Sequence, residues 1–236
     1  MGLHLETVTA QAGSFTLTAD LHIAAGARVA VIGPSGSGKS TLLDVIAGFR
    51  GVQSGRVLWQ GVPITGLTPA ARPVSVLFQD SNLFPHLTIE RNMALALNPR
   101  TGTLRPVDAK RIEAVLERVG LAGFAPRRLS EMSGGQQSRA ALARVLVQGR
   151  PVLLLDEPFA ALGPALKVEM LDLVKEVAQA EALTVLLVTH DPDDARRFSE
   201  LTIVVEDGSV AAPQPTQALL DNPPDGLRAY LGQQHR

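Results

Sequence analysis

Apolar residues recur along the chain with two periods, and each period predicts one kind of element. Apolar and polar residues alternate at 3–9 and 14–23, which is typical of antiparallel strands. Farther along, short runs rich in apolar residues predict strands, and apolar residues three to four positions apart predict helices between them. The later strands are predicted at 28–32, 56–59, 74–78, 152–155 and 184–189, and the helices at 108–119, 137–148, 165–179 and 192–199.

The order of these elements favours an α/β fold. From residue 152 onward, strands and helices alternate, which is the pattern of a parallel sheet covered by helices. The alternating segments near the start predict an N-terminal antiparallel β subdomain. The stretch at about 85–150 is predicted to be a helical subdomain. We therefore expect a parallel-sheet core with these two additions in a single domain, residues 1–236.

Composition narrows the possible functions. Of the 236 residues, 45% are hydrophobic, which suffices for a core, and Lys+Arg 22 against Asp+Glu 23 gives no electrostatic reason to expect a nucleic-acid partner. The chain has no cysteine, which excludes disulfides, thiolate metal sites and a cysteine nucleophile. No apolar run approaches the roughly 18 residues of a membrane span, and no signal peptide is visible, so a cytosolic location is expected.

Residues 33–40 have the pattern of a phosphate-binding loop, G-x-x-x-x-G-K-S, between an apolar run and a helical pattern. Glycines in such a loop let several backbone N–H groups converge on phosphates, and the following helix adds the partial positive charge of its N-terminus. Lys39 is suited to contact the β- and γ-phosphates, and the Ser40 hydroxyl is suited to bind Mg²⁺. The loop therefore predicts a P-loop NTPase core that binds a nucleoside triphosphate with Mg²⁺.

Two acids follow the buried strand predicted at 152–155. Such a strand delivers carboxylates to the carboxyl edge of a parallel sheet, where ligands bind. Asp156 is suited to hold Mg²⁺, and Glu157 is suited to orient the attacking water or accept its proton. Alone, the pair could equally be solvated acids at a strand end, but the phosphate loop in the same chain favours the catalytic interpretation.

Residues 133–136 read Ser-Gly-Gly-Gln and precede the helix predicted at 137–148. Glycines and a hydroxyl at a helix N-terminus form a second candidate phosphate-binding nest. One chain does not need two sites for a γ-phosphate. This nest is therefore predicted to serve the nucleotide bound by another copy of the chain.

With these motifs in order, the chain resembles the ATPase subunit of ABC transporters over essentially its full length. Further matching motifs are Gln79 after a strand and Thr-His-Asp at 189–191. By this resemblance, Gln79 senses Mg²⁺ and the attacking water, and His190 holds the γ-phosphate and orders Glu157. The resemblance also implies a head-to-tail homodimer, with each ATP between Lys39 of one copy and Ser133 of the other.

The loop and the resemblance together assign a full set of site residues. The residues assigned to catalysis are Glu157, His190 and Gln79, and those assigned to Mg²⁺ are Ser40, Gln79 and Asp156. The residues assigned to ATP are Gly33, Pro34, Ser35, Gly36, Ser37, Gly38, Lys39, Ser40, Thr41, Ser133, Gly134, Gly135 and Gln136.

The segments 72–88 and 94–99 resemble the importer type of ABC ATPase, and most closely the ATPases of thiamine importers. This resemblance implies membrane permease partners, a separate substrate-binding protein and a position on the cytoplasmic face of the inner membrane. From the short tail we expect no C-terminal regulatory domain.

Two of the chain's departures from the family pattern have predicted functional consequences. At 11–13 it lacks the aromatic residue that stacks on adenine in the family, so weak ATP affinity is predicted unless Phe15 substitutes. Gly163 stands where an aspartate usually helps couple the two nucleotide sites, so altered coupling is expected.

Other functions remain open at this point. The ATPase could serve an importer for another small solute such as iron, sulfate or a polyamine, since the solute does not contact this subunit. A soluble ABC ATPase acting on DNA or ribosomes usually has coiled-coil insertions or two fused halves, which this chain lacks. A small-molecule kinase would leave residues 133–136 and His190 unexplained.

Overall fold

In this computed structural model, which describes residues 1–13, 15–79 and 83–234, eleven strands form one mixed sheet. The strands are β1 (Gly2–Ala12), β2 (Phe15–Ala24), β3 (Arg28–Ile32), β4 (Ser54–Trp59), β5 (Val62–Pro63), β6 (Val74–Leu77), β7 (Val152–Asp156), β8 (Thr184–Val188), β9 (Leu201–Glu206), β10 (Ser209–Val210) and β11 (Gln214–Pro215). Their order across the sheet is β5-β4-β1-β2-β10-β9-β3-β8-β7-β6, and β11 pairs with β9.

The sheet has a parallel half and a largely antiparallel half. Strands β9, β3, β8, β7 and β6 run parallel to one another, so their carboxyl ends meet at one edge. Strands β1, β2, β4 and β5 pair antiparallel, and the short β10 joins the two halves. The predicted α/β fold with a parallel core is confirmed, while the division into subdomains stays a prediction.

Helices connect the strands and cover the sheet. They are α1 (Lys39–Ala47), α2 (Ile89–Leu97), α3 (Pro106–Arg118), α4 (Gly134–Leu146), α5 (Pro164–Ala180), α6 (Pro192–Phe198), α7 (Thr216–Asp221) and α8 (Asp225–Gln234), with 3₁₀ turns at Pro69–Ala71 and Leu129–Glu131. In the part of the chain that the structure describes, no helix combines the length and apolar composition needed to cross a membrane.

Strand β7 is buried on both faces, and this fixes the position of the acids that follow it. Leu153 and Leu155 enter a core shared with α2, α3, α4 and α5. Val152 and Leu154 enter a second core, shared with α1 and the antiparallel strands. Because side chains alternate along a strand, both faces of β7 are packed. The carboxyl end of β7 is therefore a rigid support.

The start of α4 differs from its prediction by three residues. Helix α4 begins at Gly134 and not at 137, so two glycines and Gln136 form its first turn. The Ser133 hydroxyl accepts a hydrogen bond from the Gln136 backbone N–H at 3.3 Å, and the Gln136 side chain accepts one from the Ser133 N–H at 3.1 Å. This reciprocal capping box starts the helix early in spite of the low helix propensity of glycine.

A buried arginine holds the far end of α1. The Arg72 guanidinium donates to the carbonyls of Val45 at 2.7 Å and Ile46 at 2.8 Å, and also to that of Thr65 at 2.7 Å. A cation at a helix C-terminus satisfies carbonyls that have no partner within the helix. Arg72 therefore anchors the helix whose N-terminus carries the phosphate loop.

Candidate nucleotide site

The phosphate loop lies between the end of β3 and the start of α1, and two of its positions require glycine. Gly33 has φ 151°, and an added Cβ there would lie 2.0 Å from the carbonyl oxygen of Val205 on the neighbouring strand β9. Gly38 has φ 112°, and a Cβ there would lie 2.7 Å from the Phe15 ring. The loop therefore follows a path that residues with side chains would block.

The Lys39 ammonium lies inside the loop at the start of α1. Its Nζ donates to the carbonyl oxygens of Gly33 and Pro34, each at 2.8 Å, and the residue is 8% exposed. Burial lowers the pKa of Lys39, although the negative charges of Glu157 and Asp156 oppose that change. A partly desolvated cation next to backbone N–H groups is an arrangement suited to polyphosphate.

Ser40 and Asp156 bring two oxygen ligands together beside the loop. The Ser40 hydroxyl donates to Asp156 Oδ1 at 3.3 Å, although the two residues belong to α1 and β7. Burial raises the pKa of Asp156, and the hydrogen bond from Ser40 opposes that change. A divalent cation would relieve the cost of this buried carboxylate, and Mg²⁺ prefers a few such oxygens together with phosphate. The residues present therefore fit the predicted cation.

Glu157 and His190 form a pair next to these groups. Glu157 directly follows β7 and has φ 46°, a left-handed conformation that is uncommon for a residue with a side chain. Its backbone N–H donates to the Val188 carbonyl at 3.2 Å, and its Oε2 lies 3.2 Å from Nδ1 of His190. The His190 side chain is 51% exposed. Strained backbone of this kind is common at functional sites, and the sequence carries no signal for it.

Most of the predicted site residues line one cavity of about 590 Å³. Ala12, Phe15 and Tyr230 line it as well. Tyr230, on α8, is a functional candidate that sequence reasoning missed, and its hydroxyl donates to the His190 carbonyl at 3.1 Å. Its one detectable signal is that it is the sole tyrosine of the chain. The predicted residues that line the cavity are Gly33, Ser35, Gly36, Gly38, Lys39, Ser40, Thr41, Glu157 and His190.

Pro34, Ser37, Asp156, Gln79 and the nest at 133–136 are not among the described residues that line this cavity. The nest at 133–136 lies at the N-terminus of α4, where Ser133 and Gln136 form the capping box. Gln79 is exposed, two residues beyond the end of β6. The single chain therefore presents the phosphate loop and the nest as separate sites.

The position of Ala12 allows a test of whether the absence of an adenine-stacking aromatic residue weakens ATP binding. Ala12 lines the cavity, and its neighbour Gln11 is exposed. We expect Ala12→Tyr to tighten ATP binding by about 1–3 kcal/mol through stacking on the base. Nucleotide titration with Gln11→Tyr as the control checks this, because neighbouring strand residues face opposite sides. An unchanged dissociation constant in Ala12→Tyr would show that the base binds elsewhere.

Known proteins resemble this chain in sequence and in structure. The ABC transporter family matches residues 17–160, which is more than half of the chain. Proteins named thiamine import ATP-binding protein ThiQ are 56% identical in Ruegeria sp. (strain TM1040) and 59% identical in Cereibacter sphaeroides. Each alignment covers 98% of this chain and 99% of the relative.

Solved structures give the same family. The ADP conformation of MJ1267, an ATP-binding cassette of an ABC transporter, matches with a TM-score of 0.88 at 25% identity and covers 98% of both chains. The dimeric structure of MJ0796, a bacterial ABC transporter cassette, matches with a TM-score of 0.74 at 31% identity and covers 91% of this chain and 98% of that one. The chain therefore belongs to the ABC transporter family, as an ATPase subunit.

Proposed function

We propose that this chain is the ATP-hydrolysing motor subunit of a thiamine importer. The observation that carries the motor role is the Glu157–His190 pair, which lies at the cavity formed by the phosphate loop. The thiamine assignment is supported by the two relatives at 56% and 59% identity, both named as thiamine import proteins. We propose that both apply to this chain because the alignments cover 98% of it.

In the proposed reaction, the chain binds ATP and positions a water molecule for attack on the γ-phosphate. Lys39 and the loop N–H groups hold the phosphates, and Glu157 accepts a proton from the water or orients it. His190 holds the Glu157 carboxylate in place through Nδ1, at 3.2 Å. When bound, Mg²⁺ would neutralise phosphate charge, and we propose Ser40, Gln79 and Asp156 as the residues that hold it.

We propose that the complete site forms in a head-to-tail homodimer. The nest at 133–136 is not among the described residues that line the cavity of its own chain, yet it presents the N–H groups of a helix N-terminus. A second copy would place Ser133 against the ATP held by Lys39. A solved ABC transporter cassette that resembles this chain is dimeric, which supports the formation of a dimer.

Membership of this family implies membrane permease partners. We propose a groove of about 280 Å³ near Gln79 as the surface that receives the permease. Phe49 and Phe78 line it with ring centroids 5.8 Å apart, and Phe49 is 55% exposed. An exposed aromatic group of this kind is typical of an anchor for a partner protein.

The test is uptake of labelled thiamine by cells that lack this chain. We expect the wild type to restore uptake and Phe49→Asp to fail, because a charge at the groove weakens docking. Purified Phe49→Asp is expected to hydrolyse ATP as the wild type does, since Phe49 does not line the nucleotide cavity. If the wild type hydrolyses ATP but does not restore thiamine uptake, the solute is another small molecule. Full uptake with Phe49→Asp would contradict the docking surface.

A further inference from the structure

The backbone on either side of His190 is held by a closed set of polar contacts. The Thr189 hydroxyl donates to Asp194 Oδ2 at 2.7 Å and accepts a hydrogen bond from the Asp191 N–H at 3.0 Å. Asp191 is also the N-cap of α6, where its Oδ1 accepts a hydrogen bond from the Asp193 N–H at 2.9 Å. Both sequence neighbours of His190 are therefore fixed to the start of α6.

Lys167, on α5, contacts both Asp191 and Asp194 and so connects this set of polar contacts. Its Nζ lies 2.6 Å from Asp191 Oδ2 and 2.8 Å from Asp194 Oδ1, from the first turn of α5. The Lys167 side chain is 18% exposed and that of Asp194 is 11% exposed. Because Lys167 and Asp194 are both largely buried, the ion pair between them is screened much less than a surface ion pair. Lys167, Asp191, Thr189 and Asp194 thus form one connected ring.

The positive charge of the Lys167 ammonium holds this ring of polar contacts together. Burial alone would lower the pKa of Lys167, but hydrogen bonds to Asp191 and Asp194 outweigh it, and the pKa is raised. Burial likewise works against ionised Asp191, yet the hydrogen bond from Lys167 holds the pKa of that carboxyl below its usual value. Without Lys167, two carboxylates would share a partly desolvated space, and their repulsion would separate them.

The His190 ring needs this external support. Its side chain is 51% exposed, so packing confines it weakly, and its Nδ1 must still lie within 3.2 Å of Glu157. The position of an exposed ring is set mainly by its backbone. That backbone is held by Thr189 on one side and Asp191 on the other.

We infer that Lys167 is a positioning residue for hydrolysis. Lys167 holds the segment 189–191 through Asp191 and Asp194, and that segment holds the His190 imidazole on the Glu157 carboxylate. This inference rests on the proposed roles of Glu157 and His190. It assigns to α5 a part in catalysis although Lys167 is not among the described residues that line the nucleotide cavity.

Steady-state ATPase kinetics of Lys167→Met, Lys167→Arg and Lys175→Met test the inference. We expect Lys167→Met to lower kcat by about 10²-fold with KM for ATP unchanged, as a small misplacement of catalytic groups does. Lys167→Arg keeps the charge and two donors, so it should recover most of kcat. Lys175 lies on the same helix and donates to the Arg197 carbonyl on α6 at 3.4 Å. Lys175→Met is therefore a matched control that should keep the wild-type rate.

A double-mutant cycle with His190→Ala separates positioning from general stability. If Lys167 acts through His190, Lys167→Met should reduce kcat little further in the His190→Ala protein. Equal losses in both backgrounds, or a normal kcat in Lys167→Met, would overturn the positioning role. Normal rates in His190→Ala and Glu157→Gln would instead overturn the proposed site, and this inference with it.

A second variant, Asp191→Asn, tests the inference even if Lys167→Met does not fold. Asparagine retains the helix cap and Lys167 retains Asp194, so the fold is expected to survive. The ion pair between Lys167 and Asp191, beside His190, is nevertheless lost. We expect a lower kcat with unchanged KM for ATP, and a wild-type kcat would count against the inference.

Discussion

Glu157→Gln is expected to lower the ATPase turnover by about 10²–10⁴-fold while ATP still binds, because the amide cannot accept the proton of the attacking water. Glutamine has nearly the same shape, so the left-handed backbone at residue 157 and the cavity should persist. The contact with Nδ1 of His190 loses its negative charge. The variant should therefore accumulate as an ATP-bound dimer, which single-turnover kinetics and size-exclusion chromatography with ATP would detect.

The matched control for this variant is Glu176→Gln. Glu176 is exposed on α5, and the same substitution there should leave turnover unchanged. A Glu157→Gln protein that hydrolyses ATP at the normal rate would remove Glu157 from its proposed role. A variant that fails to bind ATP would show that the carboxylate serves binding and not proton transfer.

Lys39→Ala is expected to weaken ATP binding by about 10- to 100-fold, since a hydrogen bond to a charged group contributes roughly 1.5–3 kcal/mol. The same side chain donates to the carbonyls of Gly33 and Pro34, so its loss also loosens the loop. Both effects act in the same direction. Nucleotide titration measures the affinity, and thermal unfolding with and without ATP measures the loss of stabilisation by the ligand.

Lys110→Ala provides the control for charge. Lys110 is exposed on α3 and does not line the nucleotide cavity, so its removal should leave ATP affinity unchanged. Equal affinities in Lys39→Ala and the wild type would exclude the proposed contact between the ammonium and the phosphates. A comparable loss in Lys110→Ala would indicate a long-range charge effect in place of a local one.

Much of the fold was predictable because its signals are local. Alternation at 14–23 predicted β2, and the apolar run at 152–155 predicted β7. The phosphate loop was recognisable because its glycines and Lys39 must stand at fixed spacings for the backbone to surround an anion. The start of α4 was predicted three residues late, since the capping box of Ser133 and Gln136 overrides the helix-breaking tendency of two glycines.

No local sequence pattern predicts the contacts between distant parts of the chain. The Arg72 guanidinium reaches carbonyls of Val45 and Ile46 on α1. Tyr230 reaches the carbonyl of His190 across 40 positions. Such partners are chosen by packing, which places side chains together regardless of their separation in sequence.

The sequence by itself therefore determined the ligand class, the order of strands and helices, and the side chains proposed to surround the phosphates. These follow from spacing, periodicity and the chemistry of each residue type. Only the tertiary structure decided that Glu157 takes a left-handed backbone beside His190, and that Lys167 joins Asp191 and Asp194. The reason is physical, because the geometry of a site depends on packed neighbours, and the burial that gives an ion pair its strength exists only in the folded chain.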